Sequence, residues 1–198
     1  MSQEKPQEKN IAFIDSQNLH FGTIKCDMCA IMLKKNIREM ELLDCTCGQA
    51  WEVDLARFYI YLKENYQVNE AYYFIGYVNK NNDELYKQIS DAGFTILFKE
   101  HNKKAKSAKK GNVDTDIVFE IMKNVVDNTD FENIVLVSGD GDYIKMVKYL
   151  VEKKVFKKVL FPNRRFYSSL YKQLGSEFYD YMENIKNHIG TDINEKGS

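Results

Sequence analysis

Two aspartates lie in a glycine-containing turn between a predicted strand and a predicted helix. The stretch Asn133–Leu150 reads NIVLVSGDGDYIKMVKYL. Its apolar run Ile134–Val137 predicts a strand buried on both faces, and apolar residues from Ile144 onward recur at helical spacing. Ligands of open α/β sheets collect just beyond the carboxyl ends of strands, so Asp140 and Asp142 are candidates for a binding or catalytic site. The alternative is that one of them only N-caps the helix, a common role of Asp.

Two more acidic positions occur at a strand end and at a helix start. Asp15 ends the short apolar strand Ile11–Asp15. The segment KGNVDTD leads into the predicted helix Val113–Val126, where Asp114 and Asp116 compete for an inward-facing role. Asp114 shares a helical face with apolar residues and is predicted to point toward the sheet, whereas Asp116 lies on a solvated stripe. Favourable interaction with the helix dipole is the alternative for either residue, and it suits Asp116.

A cluster of these aspartates at one sheet edge would need compensation for its charge. Two carboxylates about 4 Å apart repel by roughly 4 kcal/mol at an effective dielectric constant of about 20. Such a cluster persists only when protons are shared or a cation is bound. Because no His or Cys accompanies the aspartates in their motifs, the all-oxygen ligand set favours Mg²⁺ or Mn²⁺ over zinc. An all-aspartate magnesium site indicates phosphoryl chemistry, in which the metal activates water and stabilises the leaving oxygen.

The three acidic motifs together resemble a known family. FIDSQNL near the start, GNVDTD before the middle helix and VSGDGDY after the fourth strand are similar to the NYN domain, in the LabA-like (DUF88) branch of the PIN-like nuclease superfamily. The similarity covers most of residues 10–182. It implies an α/β fold, a PIN-like three-layer sandwich with a central, mainly parallel sheet of order 3-2-1-4-5 and helices on both faces. It also implies metal-dependent hydrolysis of RNA phosphodiester bonds that leaves a 5′-phosphate, with Mg²⁺ or Mn²⁺ as cofactor and RNA as partner.

The resemblance assigns roles to individual residues. The metal-binding and catalytic aspartates of the family match four positions: Asp15, Asp114, Asp140 and Asp142. The resemblance also gives supporting roles to Asn18 and Ser138. Asp116 is kept as a further supporting candidate because it lies in the first turn of its helix. The alternative function is an RNA-binding or assembly module that keeps the acidic pocket with weak or no catalysis. A phosphatase of the haloacid-dehalogenase type is disfavoured, because that class needs a second Asp where this chain has Gln17.

Basic residues near the acidic motifs are candidates for contacts with RNA phosphates. The loop before the Asp114 helix concentrates five lysines, and two arginines follow the fifth predicted strand. Lys and Arg placed in this way contact phosphates without reading sequence. A second lysine group, at residues 153–158, is more typical of an ordinary solvated surface. The predicted RNA-binding residues are Lys103, Lys104, Lys106, Lys109, Lys110, Arg164 and Arg165.

All four cysteines of the chain fall within 22 residues. Cys26 and Cys29 form a C-x2-C pair, and Cys45 and Cys47 form a less usual C-x-C pair. Disulfides are rare in cytosolic proteins, so closely spaced pairs favour a structural zinc ion bound by four thiolates. Reduced free cysteines in a helical insertion are the alternative.

The rest of the pattern alternates strands and helices, which predicts right-handed crossovers around one parallel sheet. Besides the strands already named, apolar runs predict strands at Ala71–Val78, Phe94–Phe98 and Val155–Phe161. Helical spacing predicts helices at Trp51–Tyr66, Asp83–Ala92 and Arg164–Leu174. The segment Phe178–Ile189 is left unassigned.

Length and composition predict one globular domain. The chain has 198 residues, of which 44% are hydrophobic, enough for a single core. We expect a disordered N-terminus over residues 1–9, one domain over 10–190 with a Cys-rich insertion at about 21–50, and a flexible tail over 191–198. The net charge of −1 produces no strong overall field of either sign, so it does not indicate a class of binding partner. With no signal-peptide pattern and no run of roughly 20 apolar residues, a soluble, cytoplasmic protein without membrane contact is expected; a homodimer is left open.

Overall fold

Strands and helices alternate along residues 9–76, 78–99, 113–127 and 129–191, the part of the chain that the computed structural model describes. The strands are β1 (Asn10–Asp15), β2 (Val68–Ile75), β3 (Thr95–Phe98), β4 (Asn133–Val137), β5 (Phe156–Phe161) and β6 (Tyr179–Tyr181). The α-helices are α1 (Ser16–Ile24), α2 (Asp27–Leu33), α3 (Leu55–Tyr66), α4 (Asp83–Asp91), α5 (Asp114–Val126), α6 (Ile144–Glu152) and α7 (Lys186–Ile189). None of the helices in these ranges is both long enough and apolar enough to cross a bilayer.

The strands form one parallel sheet in the order β3-β2-β1-β4-β5-β6. This confirms the predicted α/β class and the order 3-2-1-4-5, and it adds a sixth strand at the edge next to β5. The chain leaves β1 for β2 on one side and reaches β4 on the other, so the order reverses between β1 and β4. In doubly wound sheets such a reversal opens a crevice at the carboxyl ends of the two strands.

Helices cover both faces of the sheet because its central strands are apolar on both faces. Every residue of β1 is buried, and its side chains alternate between two cores. Ile11 and Phe13 pack with residues of α5 and α6. Ala12 and Ile14 pack with residues of α3 and α4 on the opposite face. The continuous apolar runs read from the sequence are therefore central strands of a three-layer sandwich.

The helix predicted at Trp51–Tyr66 begins later than expected. Asp54 caps it, because the Asp54 side chain accepts a hydrogen bond of 3.0 Å from the backbone N–H of Arg57. The helix therefore starts at Leu55, and Trp51 is buried in the extended segment that precedes it.

The helix predicted at Arg164–Leu174 is wrong. This segment contains turns and a short 3₁₀ helix, Ser169–Gln173. The backbone N–H of Ser168 donates 2.8 Å to the carbonyl oxygen of Gly139, in the turn after β4. A donor used in this way is not available to an α-helix, so the contact that fastens the segment to the turn replaces the helical hydrogen bond.

Aromatic packing explains why residues 164–174 have helical spacing without forming an α-helix, and why β6 joins the sheet. Tyr167 and Tyr171 are spaced like helix neighbours, but they lie around Phe161 of β5 with ring centroids 4.5 Å and 5.0 Å away. Tyr179 and Tyr181 of β6 pack on the same ring at 5.6 Å and 5.7 Å. One buried phenylalanine thus organises the chain that follows the fifth strand.

The substitution Gly22→Ala is expected to destabilise the protein by about 1–3 kcal/mol through overpacking. A Cβ at Gly22 would lie 2.5 Å from Cβ of Pro162, whose ring cannot move aside easily. The side-chain amide of Asn163 also donates 2.8 Å to the Gly22 carbonyl, which holds the two segments together. Equilibrium unfolding in urea would measure the change.

The matched control is Gln17→Ala on the exposed face of the same helix, which should leave the free energy of unfolding nearly unchanged. Alanine is intrinsically about 1 kcal/mol better than glycine in a helix. A Gly22→Ala variant as stable as the wild type, or more stable, would therefore show that helical propensity outweighs the clash.

Candidate active site

Three carboxylates converge at the carboxyl edge of the sheet. Asp114 comes from the first residue of α5, and Asp140 and Asp142 come from the turn after β4. One carboxylate oxygen of each lies within 4.8 Å of one oxygen of each of the others. At such separations mutual repulsion amounts to a few kcal/mol per pair at an effective dielectric constant of about 20. The arrangement therefore favours a bound cation or a shared proton.

The turn after β4 assigns different tasks to its two aspartates. Asp140 N-caps a short 3₁₀ helix, Gly141–Tyr143, by accepting 3.0 Å from the backbone N–H of Asp142. Its own backbone N–H donates 3.1 Å to Oγ of Ser138. Asp142 is exposed and does not cap. Capping and membership of the acidic group are thus combined in one residue, Asp140, rather than being alternatives.

Asp15 is more deeply buried than these three carboxylates. It is only 3% exposed, and Oδ1 accepts 3.0 Å from the backbone N–H of Asn18, which caps α1. Its other oxygen, Oδ2, lies 3.3 Å from Oγ of Ser138 and 3.3 Å from Oη of Tyr143. The same Tyr143 hydroxyl lies 2.8 Å from Oδ1 of Asp114. A buried tyrosine therefore connects Asp15 to the acidic group.

Burial has a large effect on the pKa values of Asp15 and Tyr143. Desolvation raises the pKa of Asp15 to about 6; the hydrogen bond from Asn18 opposes the rise, and the nearby charge of Asp114 adds to it. Burial, followed by the charges of Asp15 and Asp114, raises the pKa of Tyr143 far above its usual value, so the phenol stays neutral. A phenol has one proton to donate, and the shorter contact assigns it to Asp114. Below a pH of about 6, a proton on Asp15 completes the contact between Asp15 and Tyr143.

Small residues hold the turn against the segment that follows β5. The backbone N–H of Gly139 donates 2.7 Å to Oδ1 of Asn18. A Cβ at Gly139 would lie 3.1 Å from Cα of Tyr167, and a Cβ at Gly141 would lie 2.5 Å from Oγ of Ser168. The two glycines are therefore required for close packing inside the protein. The hydroxyl of Tyr171, which is fully buried, adds a 2.8 Å hydrogen bond to the carbonyl oxygen of Asp140.

Asp116 is placed differently from Asp114. Its side chain is about two-fifths exposed, and one oxygen lies 3.8 Å from Nζ of Lys99. It does not belong to the group of three carboxylates. The helical phase inferred from the sequence therefore distinguished Asp114, which joins the acidic group, from Asp116, which is partly exposed and has one buried carboxylate oxygen.

The predicted RNA-binding residues fall into two sets. The five lysines Lys103, Lys104, Lys106, Lys109 and Lys110 lie outside the described residues. Arg164 packs over the ring of Tyr181 at 4.9 Å and donates 2.7 Å to Oδ1 of Asn184. Arg165 donates 2.7 Å and 3.0 Å to one carboxylate oxygen of Asp27. Both arginines thus bind groups of the protein itself.

The lysines at 153–158 lie at the end of the sheet opposite to the acidic group. They precede or begin β5, whereas the acidic group follows the carboxyl end of β4. Because the strands are parallel, the two positions are at opposite ends of the sheet. This location is consistent with the solvated-surface interpretation.

Two tyrosines of the site were not identified from the sequence. Tyr143 directly follows the two aspartates of the turn, and Tyr171 lies in the segment Arg164–Leu174, for which a helix is predicted. Both are fully buried, and their hydroxyls bind the acidic centre. A buried tyrosine requires a hydrogen-bond partner, so the placement of Tyr143 directly after Asp142 was a usable signal. Tyr171 offered none, because its contact depends on a distant turn.

Comparison with known proteins was informative at the level of family and fold. The family model described as the NYN domain matches residues 11–181. A crystal structure of a protein of unknown function from Vibrio parahaemolyticus RIMD 2210633 is similar, with a TM-score of 0.63 and 18% sequence identity. The superposition covers 96% of this chain and 99% of the other. At that identity the likeness concerns the fold alone. Comparison with curated proteins gave no match.

Proposed function

The chain belongs to the NYN domain family of the PIN-like nuclease superfamily, and from this premise we propose that it is a metal-dependent ribonuclease. The observation that carries the proposal is the convergence of Asp114, Asp140 and Asp142 at the carboxyl edge of the sheet. Ligands of doubly wound folds bind at this edge, beside the strands where the order reverses. Hydrolysis of RNA phosphodiester bonds is the reaction that fits an acidic centre in this family.

The donor set fits Mg²⁺ or Mn²⁺. The group offers carboxylate oxygens only, which hard divalent cations prefer. Ion pairs within the described part of the chain include neither Asp140 nor Asp142, so no Lys or Arg there neutralises these two charges. A bound divalent cation would supply Lewis acidity, which lowers the pKa of water and offsets charge on the phosphate.

The residues of the site divide into holding and positioning roles. Asp114, Asp140 and Asp142 would hold the cation. Asp15 and Tyr143 position Asp114, because the Tyr143 hydroxyl binds both carboxylates from inside the protein. Such outer partners of metal ligands typically contribute about 10- to 100-fold in metal affinity or activity.

The reaction itself requires a water to attack phosphorus in line with the leaving oxygen. The water oxygen forms the new P–O bond as the bond to the 3′ oxygen breaks. The 3′ oxygen takes a proton from solvent and leaves as the hydroxyl of the upstream fragment, and the new 5′-phosphate stays on the downstream fragment. Asp142 is exposed at the opening of the site and its carboxylate does not cap a helix, so its oxygens can accept the proton of the water.

Cleavage of labelled single-stranded, structured and transfer RNA tests the proposal, in Mg²⁺ or Mn²⁺ and after chelation. We expect cleavage that is abolished by the chelator and restored by adding back the metal. Metal and RNA binding without cleavage of any of these substrates would contradict it and support the RNA-binding or assembly module instead.

Two aspartates of one helix turn provide a sharper test. Asp114→Asn should lower the rate of cleavage at least about 100-fold, because it removes a charge from the group of three carboxylates. Asp116→Asn changes the same chemical group two residues away, outside the group of three carboxylates, where a partly exposed ion pair of 3.8 Å with Lys99 is lost. Such pairs contribute little, so the rate should stay within about twofold. Equal losses in the two variants would contradict the assignment.

A further inference from the structure

The four cysteine thiols of the chain meet at one point of the segment between α1 and α3. The sulfurs of Cys26 and Cys47 are 3.4 Å apart, those of Cys45 and Cys47 are 3.6 Å apart, and those of Cys29 and Cys45 are 3.9 Å apart. All four lie within 4.8 Å of one another. A disulfide would bring two sulfurs to about 2.0 Å. Neighbouring sulfurs around a tetrahedral zinc with Zn–S bonds of about 2.3 Å lie about 3.8 Å apart, which matches the observed spacing.

Backbone donors already point at the sulfurs. The backbone N–H of Ala50 donates 3.3 Å to Sγ of Cys45, and that of Cys29 donates 3.5 Å to Sγ of Cys26, which caps α2. Gly48 follows the last cysteine with φ of +74°, a conformation that turns the chain back at little cost only for glycine. Hydrogen bonds of this kind orient metal ligands and stabilise their charge.

The local core is too small to hold this segment by itself. Its buried apolar residues besides two of the cysteines are Ala30, Met40 and Ala50. The larger apolar side chains of α2 point outward, with Ile31 77% exposed and Met32 72% exposed. Small units that bury little apolar surface usually require a disulfide or a metal. The centre of this one consists of thiols.

We propose that Cys26, Cys29, Cys45 and Cys47 bind one structural Zn²⁺ as thiolates. The thiol protons are released to solvent when the metal binds. Four protein ligands complete a tetrahedral site and leave no open position for a substrate, so the role is structural. Iron can also occupy a tetrahedral set of four thiolates, and metal analysis distinguishes the two.

The proposed zinc unit holds the chain that follows β5. Asp27, between the first two ligands, binds Arg165 through the two short contacts described above. The ammonium group of Lys186 at the start of α7 donates 2.7 Å to the carbonyl oxygen of Gly48. In α1, just before this unit, the ring of Phe21 contacts that of Phe166 edge to face at 5.6 Å. Zinc would therefore stabilise the position of the segment that follows β5. This segment packs against the turn after β4, which carries Asp140.

Metal analysis of wild-type protein purified without chelator tests the proposal directly. We expect about one zinc per chain, and no more than traces of iron. A thiol-modifying reagent should release the zinc as it reacts, and the reading is unambiguous because the chain has only these four cysteines. Zinc-free protein whose thiols all react at the rate of free thiols would overturn the proposal, and so would stoichiometric iron.

Two variants separate ligation from packing. Cys47→Ser changes the one exposed cysteine and should lower zinc content and the temperature of unfolding. Asp27→Asn is the matched control, because it breaks the pair with Arg165 without removing a ligand, and zinc content should stay unchanged. If Cys47→Ser fails to fold, loss of zinc from the wild type to a strong chelator should still lower its unfolding temperature. An unfolding temperature unmoved by complete zinc removal would contradict a structural role, whatever the nuclease assay shows.

Discussion

Asp140→Asn is expected to lower the rate of RNA cleavage by at least about 100-fold while leaving the fold intact. The Asn side chain keeps an oxygen that can accept the cap hydrogen bond from the backbone N–H of Asp142. Asn and Asp are equally good caps. The substitution therefore removes one negative charge from the group of three carboxylates and little else. Single-turnover cleavage measures the loss of rate, and a titration with Mg²⁺ or Mn²⁺ measures the expected loss of metal affinity.

Asp140→Ala is the informative companion. It removes the charge and the cap together, so it should lose stability by about 1 kcal/mol in addition to activity. Comparing the two variants separates the electrostatic role of the residue from its structural role. An Asp140→Asn protein that cleaves RNA as fast as the wild type would show that this carboxylate is only a cap.

Asp15→Asn is expected to stabilise the metal-free protein by about 3 kcal/mol at neutral and mildly alkaline pH. Burial raises the pKa of Asp15 to about 6, so holding this carboxylate ionised inside the fold costs free energy. Asn removes the ionisation and keeps an oxygen for the hydrogen bond from Asn18. Unfolding in urea, in the presence of chelator, at a series of pH values measures the difference.

The sign of the pH dependence follows from the two pKa values. Between about pH 4 and pH 6 the native state holds the Asp15 proton that the unfolded chain has already lost. The contribution of Asp15 to wild-type stability therefore falls as pH rises through this window and is constant above it. The two proteins should agree below about pH 4 and diverge toward pH 7. A constant difference across the whole range would contradict the raised pKa.

Added Mg²⁺ provides the control for this experiment. A cation at the neighbouring carboxylates offsets their charge and stabilises the ionised form of Asp15, so the advantage of Asn over Asp should shrink. The exposed variant Asp127→Asn, at the end of α5, should leave the free energy of unfolding nearly unchanged.

The parts of the fold that follow local rules could be predicted from the sequence. The apolar runs of β1 and β4 indicated central strands, and their carboxyl ends located the acidic edge. The 3.6-residue period distinguished Asp114 from Asp116, and of these two only Asp114 joins the group of three carboxylates. The four cysteines were expected to meet because of their spacing, and they do.

The parts that depend on distant contacts could not be predicted in this way. Tyr167 and Tyr171 repeat at helical spacing, yet both pack on Phe161 and the helix does not form. Arg164 and Arg165 were assigned to RNA from their position alone, whereas partners remote in sequence engage both side chains. Local patterns contain no information about which remote group will satisfy a donor or cover a ring.

The position of β1 in the middle of the sheet has a consequence for how the molecule is made. Asp15 meets Ser138 across the sheet, and the two residues are 123 positions apart. At synthesis rates of about 5–20 residues per second, translation of that interval takes roughly 6–25 s. During this time the nascent chain displays one unpaired edge of β1, which makes it vulnerable to misassociation.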